Sequence, residues 1–303
     1  MNLKLGIALL GASTLCACAS MAPVTQEQSA TKQFAAGAHA VDSAEIAFLR
    51  QVQNSECISD FYSAAFAFAT ADKDPRTHQY VASPLDLLPV CQPKELTAAQ
   101  LQTRQSLMDA LAAYGDAMQT LMNGNSDQTL DTDGETMAKA IQGVAKQEGF
   151  TSIGGNEVAG LNAAVIAVTQ WVIDRHEYDN VKDAAAKVEP SLEIIVNALK
   201  AANTNDAAGI QVKLNGVKNE FQIAMLAARA HRGAASFMDV ANAHALLSSL
   251  AVPSDVTQLN KALDALVTSN KAMASGDKAS AVQEISNLVS EGQKAVAVYN
   301  ASK

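Results

Sequence analysis

Apolar residues recur every three or four positions along most of the chain, which is the spacing of an amphipathic α-helix. The first such pattern runs from Lys32 to about Ala71, with a candidate break near Asn54. Its apolar positions are Phe34, Ala38, Val41, Phe48, Val52, Ile58, Phe61, Ala65 and Phe68. Strand-like alternation is nearly absent, so the sequence predicts an all-α protein. We expect this stripe to form core rather than to line a ligand site.

Three further helical patterns occupy the middle of the chain. Thr97-Ala98-Ala99-Gln100 has the form of a capping box, and it opens a predicted helix that ends at Asn123-Gly124. A shorter pattern then ends at Gln147. The stretch from Asn156 to about His176 is apolar nearly all round, so we expect neighbouring helices to bury it.

The pattern continues beyond residue 188. Glu189-Pro190 is expected to start a helix that ends at Asn203, because proline is tolerated in the first turn of a helix. Asp206 to Leu250 predicts one helix of about 45 residues, or two helices joined at His231-Arg232-Gly233.

The chain ends in two more predicted helices. Pro253 opens the first, in which Asn270 interrupts the apolar seam, and Gly276-Asp277 forms the turn before the second. Apolar seams of this kind allow two helices to pack side by side. The whole pattern predicts a multi-helix bundle with long antiparallel helices.

One long segment departs from the helical pattern. Asp72 to Pro93 contains four prolines, which prevent a helix, and loops of this length are often functional. Its apolar side includes Tyr80, Leu85, Leu87 and Leu88, which we take as a candidate recognition loop. The alternative is that these leucines cover the bundle core. A second break, from 149 to 155, is a candidate hinge between two halves of the body.

The N-terminus has the order of a secretory signal. Lys4 precedes an apolar run from Leu5 to Leu15 that ends in small residues. The run has about 11 residues, whereas a membrane-spanning helix needs roughly 20, so we expect it to be removed.

The site of removal depends on Leu15-Cys16-Ala17-Cys18, which resembles the lipobox of bacterial lipoproteins. The resemblance covers only the first part of the chain, and no family is identified for the rest. It implies that residues 1–17 are a signal peptide and that Cys18 is acylated. Residues 18–31 would then be anchor and flexible tether, and residues 32–303 the body. The alternative is ordinary cleavage after Ala19, which releases a soluble periplasmic protein.

The lipobox resemblance also implies a location. Ala19, and not aspartate, follows Cys18, which in lipoproteins of this kind indicates the outer membrane, with the body facing the periplasm. Acyl chains such as palmitate bury CH₂ groups in the membrane, and two or more chains give stable anchoring.

The charge of the chain excludes some partners. The net charge is −9, and removal of Lys4 with the signal makes it about −10. A surface of this sign avoids nucleic acid and anionic headgroups. The partners that the lipobox resemblance implies are the membrane, through the lipid, and another envelope protein.

Two cysteines remain in the body, Cys57 and Cys91. Exported proteins mature in an oxidising compartment, so we predict a disulfide between them; two unpaired core thiols are the alternative. Two cysteines fall short of the four ligands of a structural zinc site.

The sequence carries no familiar catalytic motif. GxSxG, GxxxxGK[ST], GxGxxG after a strand and HExxH are all missing, so we assign no catalytic, cofactor or metal residue. The densest polar cluster, Asp174 to Asp179, is expected to be a solvated helix end. Two functions remain open: a non-enzymatic lipoprotein that binds another protein or supports an envelope assembly, and a small-molecule binder or unfamiliar enzyme with a cleft between helical halves.

Overall fold

The protein is described by a computed structural model that covers residues 23–70, 98–123, 181–231 and 256–300, with Leu96, Met238 and Ala241. These residues form five helices and no strand. The helices are α1 (Pro23–Thr70), α2 (Ala98–Asn123), α3 (Val181–His231), α4 (Thr257–Ser275) and α5 (Lys278–Asn300). The predicted all-α bundle is therefore confirmed.

Helix α1 is the centre of the bundle and contacts each of the other four helices. Its apolar stripe is buried, as the sequence predicts: Phe34, Ala38, Val41, Phe48, Val52, Ile58, Phe61, Ala65 and Phe68 are all at most 5 % exposed. Most of these side chains pack in one continuous core with apolar residues of α2, α3, α4 and α5.

Most neighbouring helices run antiparallel. In the α1–α2 pair, His39 contacts Asp116 whereas Glu56 contacts Leu96, just before the start of α2. The α3–α4 and α4–α5 pairs are also antiparallel, as their side-chain contacts show.

Helices α1 and α5 instead run parallel. Gly37 lies against Leu288, and Gln51 binds the carbonyl oxygen of Tyr299, so both helices advance in the same direction. Helix α3 also has this direction, because α4 is antiparallel to both α3 and α5. Helices α1, α3 and α5 therefore begin at the same end of the bundle.

Two glycines allow α1 and α5 to approach closely. A Cβ atom on Gly37 would lie 2.5 Å from Leu288 Cγ, and one on Gly292 would lie 2.9 Å from Ala40 Cβ. Both distances are too short for carbon atoms that are not bonded. The absence of a side chain at these two positions thus sets the spacing of the pair.

Helix α1 is longer than its sequence pattern predicts. It begins at Pro23, not Lys32, and continues through Asn54 without a break. The predicted flexible tether therefore does not include residues 23–31. Thr31 is buried, and its hydroxyl donates to the carbonyl oxygen of Gln28, so the polar residues of this stretch are compatible with a helix.

Helix α3 also corrects two predicted boundaries. It is one helix from Val181 to His231, so it neither starts at Pro190 nor stops at Asn203. A proline inside a helix removes one hydrogen bond, at roughly 3 kcal/mol. Pro190 is exposed, whereas Val188 and Leu192 beside it are buried, so core packing on the other side holds the helix together.

The other helix ends lie close to their predicted positions. Helix α2 ends at Asn123 as predicted, and α4 begins at Thr257, four residues after Pro253. Gly276 ends α4 with a φ of 75°, a left-handed conformation in which glycine carries no Cβ penalty. The turn at Gly276-Asp277 is therefore confirmed.

Several predictions fall outside the described residues. They are the proline-containing loop 72–93, the helical patterns that end at Gln147 and at about His176, and the candidate hinge 149–155. Within the part of the chain that the structure describes, no helix is long and apolar enough to cross a membrane.

Candidate functional site

A buried polar cluster joins α1, α2 and α3 in the middle of the bundle. Glu45 and Asn203 are fully buried, and Asn203 Nδ2 donates to Glu45 Oε2 at 2.7 Å. Arg104 Nη1 donates to Asn203 Oδ1 at 3.2 Å, and Arg104 Nη2 pairs with Asp206 Oδ2 at 2.6 Å. The Asn203 amide thus links a carboxylate of α1 to a guanidinium of α2.

The cluster has more acidic than basic groups. Arg104 faces Glu45 and Asp206, and the Asp42 carboxylate also acts on Glu45. Burial raises the pKa of Glu45 to about 7, although Arg104 and the hydrogen bond from Asn203 oppose this shift. Glu45 therefore holds a proton more readily than an exposed glutamate does.

Asp42 lies one turn before Glu45 and extends the cluster towards the surface. Burial, and secondarily the charge of Asp109, raises the pKa of Asp42 to about 6, while His39 acts in the opposite direction. Asp42 Oδ1 and Glu45 Oε1 are buried and accept no hydrogen bond from the residues that the structure describes. When either carboxyl group ionises, hydrogen bonds from the described residues therefore balance only part of the cost of burying its negative charge.

The chemistry of the cluster favours a structural role. Its charged and amide groups bind one another across three helices, and polar pairs in a core favour one register over others. Among the described residues, no group of three or more histidine, cysteine, aspartate or glutamate side chains could hold a metal ion.

A second buried polar contact joins α2, α3 and α4. Tyr114 Oη donates to Asn270 Oδ1 in a short hydrogen bond, and Asn270 Nδ2 donates to the carbonyl oxygen of Ala185 at 3.1 Å. Burial raises the pKa of Tyr114, so its hydroxyl stays protonated and can donate. Asn270, which interrupts the seam of α4, therefore has a defined partner on each side.

The outer face of α3 has a different character. Ile194 and Val212 are about five helical turns apart and Ile223 follows about three turns later, so they lie on one line along the helix. We call the positions within about 60° of this line, from Pro190 to Leu226, the α3 stripe. Its large apolar side chains are exposed: Ile194 by 42 %, Val212 by 75 %, Ile223 by 60 % and Leu226 by 71 %.

Charged residues are missing from the α3 stripe. Aspartate, glutamate, lysine and arginine make up 17 % of the chain, yet the remaining stripe positions are alanine, glycine, asparagine, serine and proline. Four exposed asparagines, at 197, 205, 215 and 219, supply its polar groups. The lack of charge on this exposed face favours contact with another protein, because charged residues are depleted at the centre of interfaces.

Most residues that the sequence singles out lie outside the described residues. They are Cys18, Cys91, Tyr80, Leu85, Leu87, Leu88 and the polar cluster 174–179, so these assignments stay predictions. Cys57 lies in α1 and is half-buried. Next to it, Glu56 Oε1 accepts a hydrogen bond from the Leu96 backbone N–H at 2.9 Å.

Sequence reasoning missed both the buried cluster and the α3 stripe. A signal for the cluster exists, because Glu45 falls between Val41 and Phe48 on the apolar face of α1. A signal for the stripe also exists, because the residues that recur every three or four positions after Pro190 on this side carry no charge. The spacing of apolar residues predicts only the buried side of α3.

Comparisons with known proteins add no family. No protein-family model, no curated protein and no solved structure matches the chain.

Proposed function

We propose that this protein is a non-enzymatic lipoprotein of the bacterial envelope. Cys18 carries the lipid, the outer membrane holds it, and the helical body faces the periplasm and binds protein through the α3 stripe. The membrane part of the proposal rests on Leu15-Cys16-Ala17-Cys18. The binding part rests on the four exposed apolar side chains of the stripe.

The exposed stripe is the observation that carries the proposed function. Val212, Ile223 and Leu226 each leave more than half of their surface in water. Exposed apolar residues on a surface are ordinary by themselves, so the proposal rests on their alignment with uncharged positions along the whole stripe. Covering such side chains contributes roughly 25 cal/mol per Å² of apolar area.

The interior of the bundle supports a binding module more than an enzyme. The polar side chains of the described core, Glu45, Arg104 and Asn203 among them, bind partners on neighbouring helices. They therefore stabilise the bundle, and the outer surface of the helices is left for recognition.

The start of α1 is compatible with a membrane anchor. Pro23 comes five residues after Cys18, so the helix begins within about 18 Å of the acylated residue. The N-terminal ends of α1, α3 and α5 would then face the membrane, and the rest of the body would extend into the periplasm.

The proposed disulfide joins α1 to the chain before α2. Leu96 binds Glu56, the residue next to Cys57. Cys91 is five residues before Leu96, so the Cα atoms of these two residues can be at most about 18 Å apart. A Cys57–Cys91 bond fits that reach, and it would hold one end of the candidate recognition loop, which contains Tyr80 and Leu85, against α1.

A Cys18→Ala substitution tests the anchor. Wild-type protein should fractionate with the outer membrane and carry the mass of acyl chains, whereas the variant should be soluble or unprocessed, because the acylated atom is missing. Cys16→Ala is the matched control and should behave as wild type. A wild-type protein that is soluble and begins at Ser20 would contradict the anchor.

The same cells test the binding part of the proposal. Cross-linking of intact cells should give protein adducts of the wild type, and an Ile223→Glu variant should lose most of them because a charge then lies in the contact. Gln222→Glu adds the same charge on a neighbouring face of α3 and should keep the adducts. Equal adducts in both variants would exclude the α3 stripe as the binding surface.

A further inference from the structure

The α3 stripe matches its own copy better than it matches a charged surface. Two copies of a chain with a net charge near −10 repel each other over most of their surfaces. The repulsion is least where both faces lack charge. Over the roughly 54 Å from Pro190 to Leu226, the stripe is such a face.

The order of side chains along the stripe is also self-complementary. Exposed stripe residues recur at steps of three or four: Ile194, Asn197, Ala201, Asn205, Ala208 and Val212 are successive examples. In a parallel pair of helices each of these residues meets the same residue of the other copy. Apolar residues then meet apolar residues, and small alanines allow the backbones to approach.

The asparagines of the stripe can pair across the interface. An asparagine amide both donates and accepts, so two identical asparagines that face each other can form hydrogen bonds in both directions. In a parallel pair Asn205 and Asn219 each meet their own copy, and in an antiparallel pair centred on Val212 they would meet each other, so the asparagines are compatible with both directions. An asparagine in such a seam favours one register and one number of strands, at some loss of affinity.

The membrane anchor favours parallel pairing, and this argument rests on the proposed function. Helices α1 and α3 begin at the same end of the bundle, which is the end nearest Cys18. Two copies in parallel therefore present both lipids to one membrane. An antiparallel pair would hold the two anchors at opposite ends of the complex.

We propose that the α3 stripe is the contact face of a parallel homodimer, in which both copies are anchored in one membrane. A second copy of this chain is thus the partner that covers Val212, Ile223 and Leu226. The interface is a long and uncharged helix pair, with Ile194, Ile223 and Leu226 towards its ends and Val212 among small residues near its middle.

Charge substitutions at Ala201 test the pairing and its direction. Ala201 is exposed in the stripe and lies about 10 Å from its middle, so Ala201→Glu brings two carboxylates together only in a parallel pair. Analytical ultracentrifugation of the full-length lipidated protein in density-matched detergent should find wild-type dimers. Ala201→Glu should raise the dimer dissociation constant at least tenfold, and mixing it with Ala201→Arg should restore dimers.

Two controls test whether the loss of dimers is specific to the stripe and independent of unfolding. Ala186→Glu places the same charge on an exposed alanine of α3 outside the stripe and should dimerise as wild type does. All variants should melt at the wild-type temperature, measured by circular dichroism at a concentration at which the wild type is monomeric.

The outcomes separate this inference from the proposed function. A wild type that is monomeric at about 100 µM would overturn the homodimer, and dimers that persist in Ala201→Glu would overturn the parallel pairing of the α3 stripe. Dimers that Ala201→Glu abolishes but Ala201→Arg does not restore would overturn the parallel arrangement. If wild-type protein is monomeric and its stripe captures a different envelope protein, the homodimer is wrong and the proposed function stands.

Discussion

Glu45 shows how one residue can serve the fold and also weaken it. Its side chain is fully buried and holds Asn203 between α1 and α3, which favours the native register. Its charge, however, is removed from water and only partly balanced by Arg104. Single charged residues in a core therefore make stability depend on pH.

The first residue-scale prediction concerns this pH dependence. The pKa of Glu45 in the folded protein is about 7, above its usual value of 4.5. The folded state thus binds the proton more tightly than the unfolded state, and the free energy of unfolding falls as pH rises through the window from about 4.5 to 7. Asp42 acts in the same direction, from 3.8 to about 6.

Denaturant unfolding at pH 5 and pH 8 measures the effect. The wild type should lose stability of the order of 1–3 kcal/mol over this range through Glu45, and Glu45→Gln should remove that part because its side chain stays neutral. Glu284→Gln, on the outside of α5, serves as control and should keep the wild-type slope. An unchanged slope in Glu45→Gln would contradict the role of burial.

The second residue-scale prediction concerns the contact of α1 with α5. Gly37→Ala should lower the free energy of unfolding by about 1–3 kcal/mol, because the new Cβ overlaps Leu288 in a packed core. Gly216→Ala is the matched control: a Cβ there meets no atom within 4 Å, so it should stabilise the helix by up to about 1 kcal/mol. Thermal melts that rank the two variants in the opposite order would show that α1 and α5 are not in close contact.

At the scale of elements, packing decides where the helices begin and end. Pro190 and Asn203 mark ends in the sequence pattern, but α3 passes through both. Buried contacts on each side hold the helix, and Asn203 bonds to Glu45 and Arg104 instead of capping a helix end. Capping and proline signals are local, and a core of this size outweighs them.

The element-scale prediction is the disulfide between α1 and the chain before α2. Thiol titration of denatured, unreduced mature protein should find neither Cys57 nor Cys91 free. Reduction should destabilise the protein by roughly 3–4 kcal/mol, since the bond closes a loop of about 34 residues in the unfolded chain. Cys57→Ser should be unaffected by reductant and leave one titratable body thiol, Cys91. Two reactive body thiols in protein taken from the periplasm would contradict the pairing.

At the scale of the whole molecule, the described bundle has two different faces. The inner side of α3 packs on α1 and α4, and its outer side carries the uncharged α3 stripe. The proposed anchor at Cys18 and the proposed contact face thus occupy different parts of the molecule. With the proposed lipid at one end, the side of α3 would stay accessible to another protein.

The amino-acid sequence alone specifies the class of fold and the apolar side of each described helix. Periodic apolar residues are enough for this, because a helix must bury one face whatever its neighbours are. It also determined the turn at Gly276, which depends on the conformational freedom of one residue. The lipobox resemblance is likewise a local feature and needs no tertiary structure.

Which helices meet, and in which direction, follows from their packing in the folded protein. The parallel packing of α1 and α5 depends on Gly37, whose contact with Leu288 spans most of the chain. The buried cluster requires Glu45, Arg104 and Asn203 to meet across three helices. The exposure of Val212 follows from its place on the outer side of α3, away from α1 and α4. Contacts between residues distant in sequence follow from the packing of whole helices, and a local pattern of apolar and polar positions does not specify them.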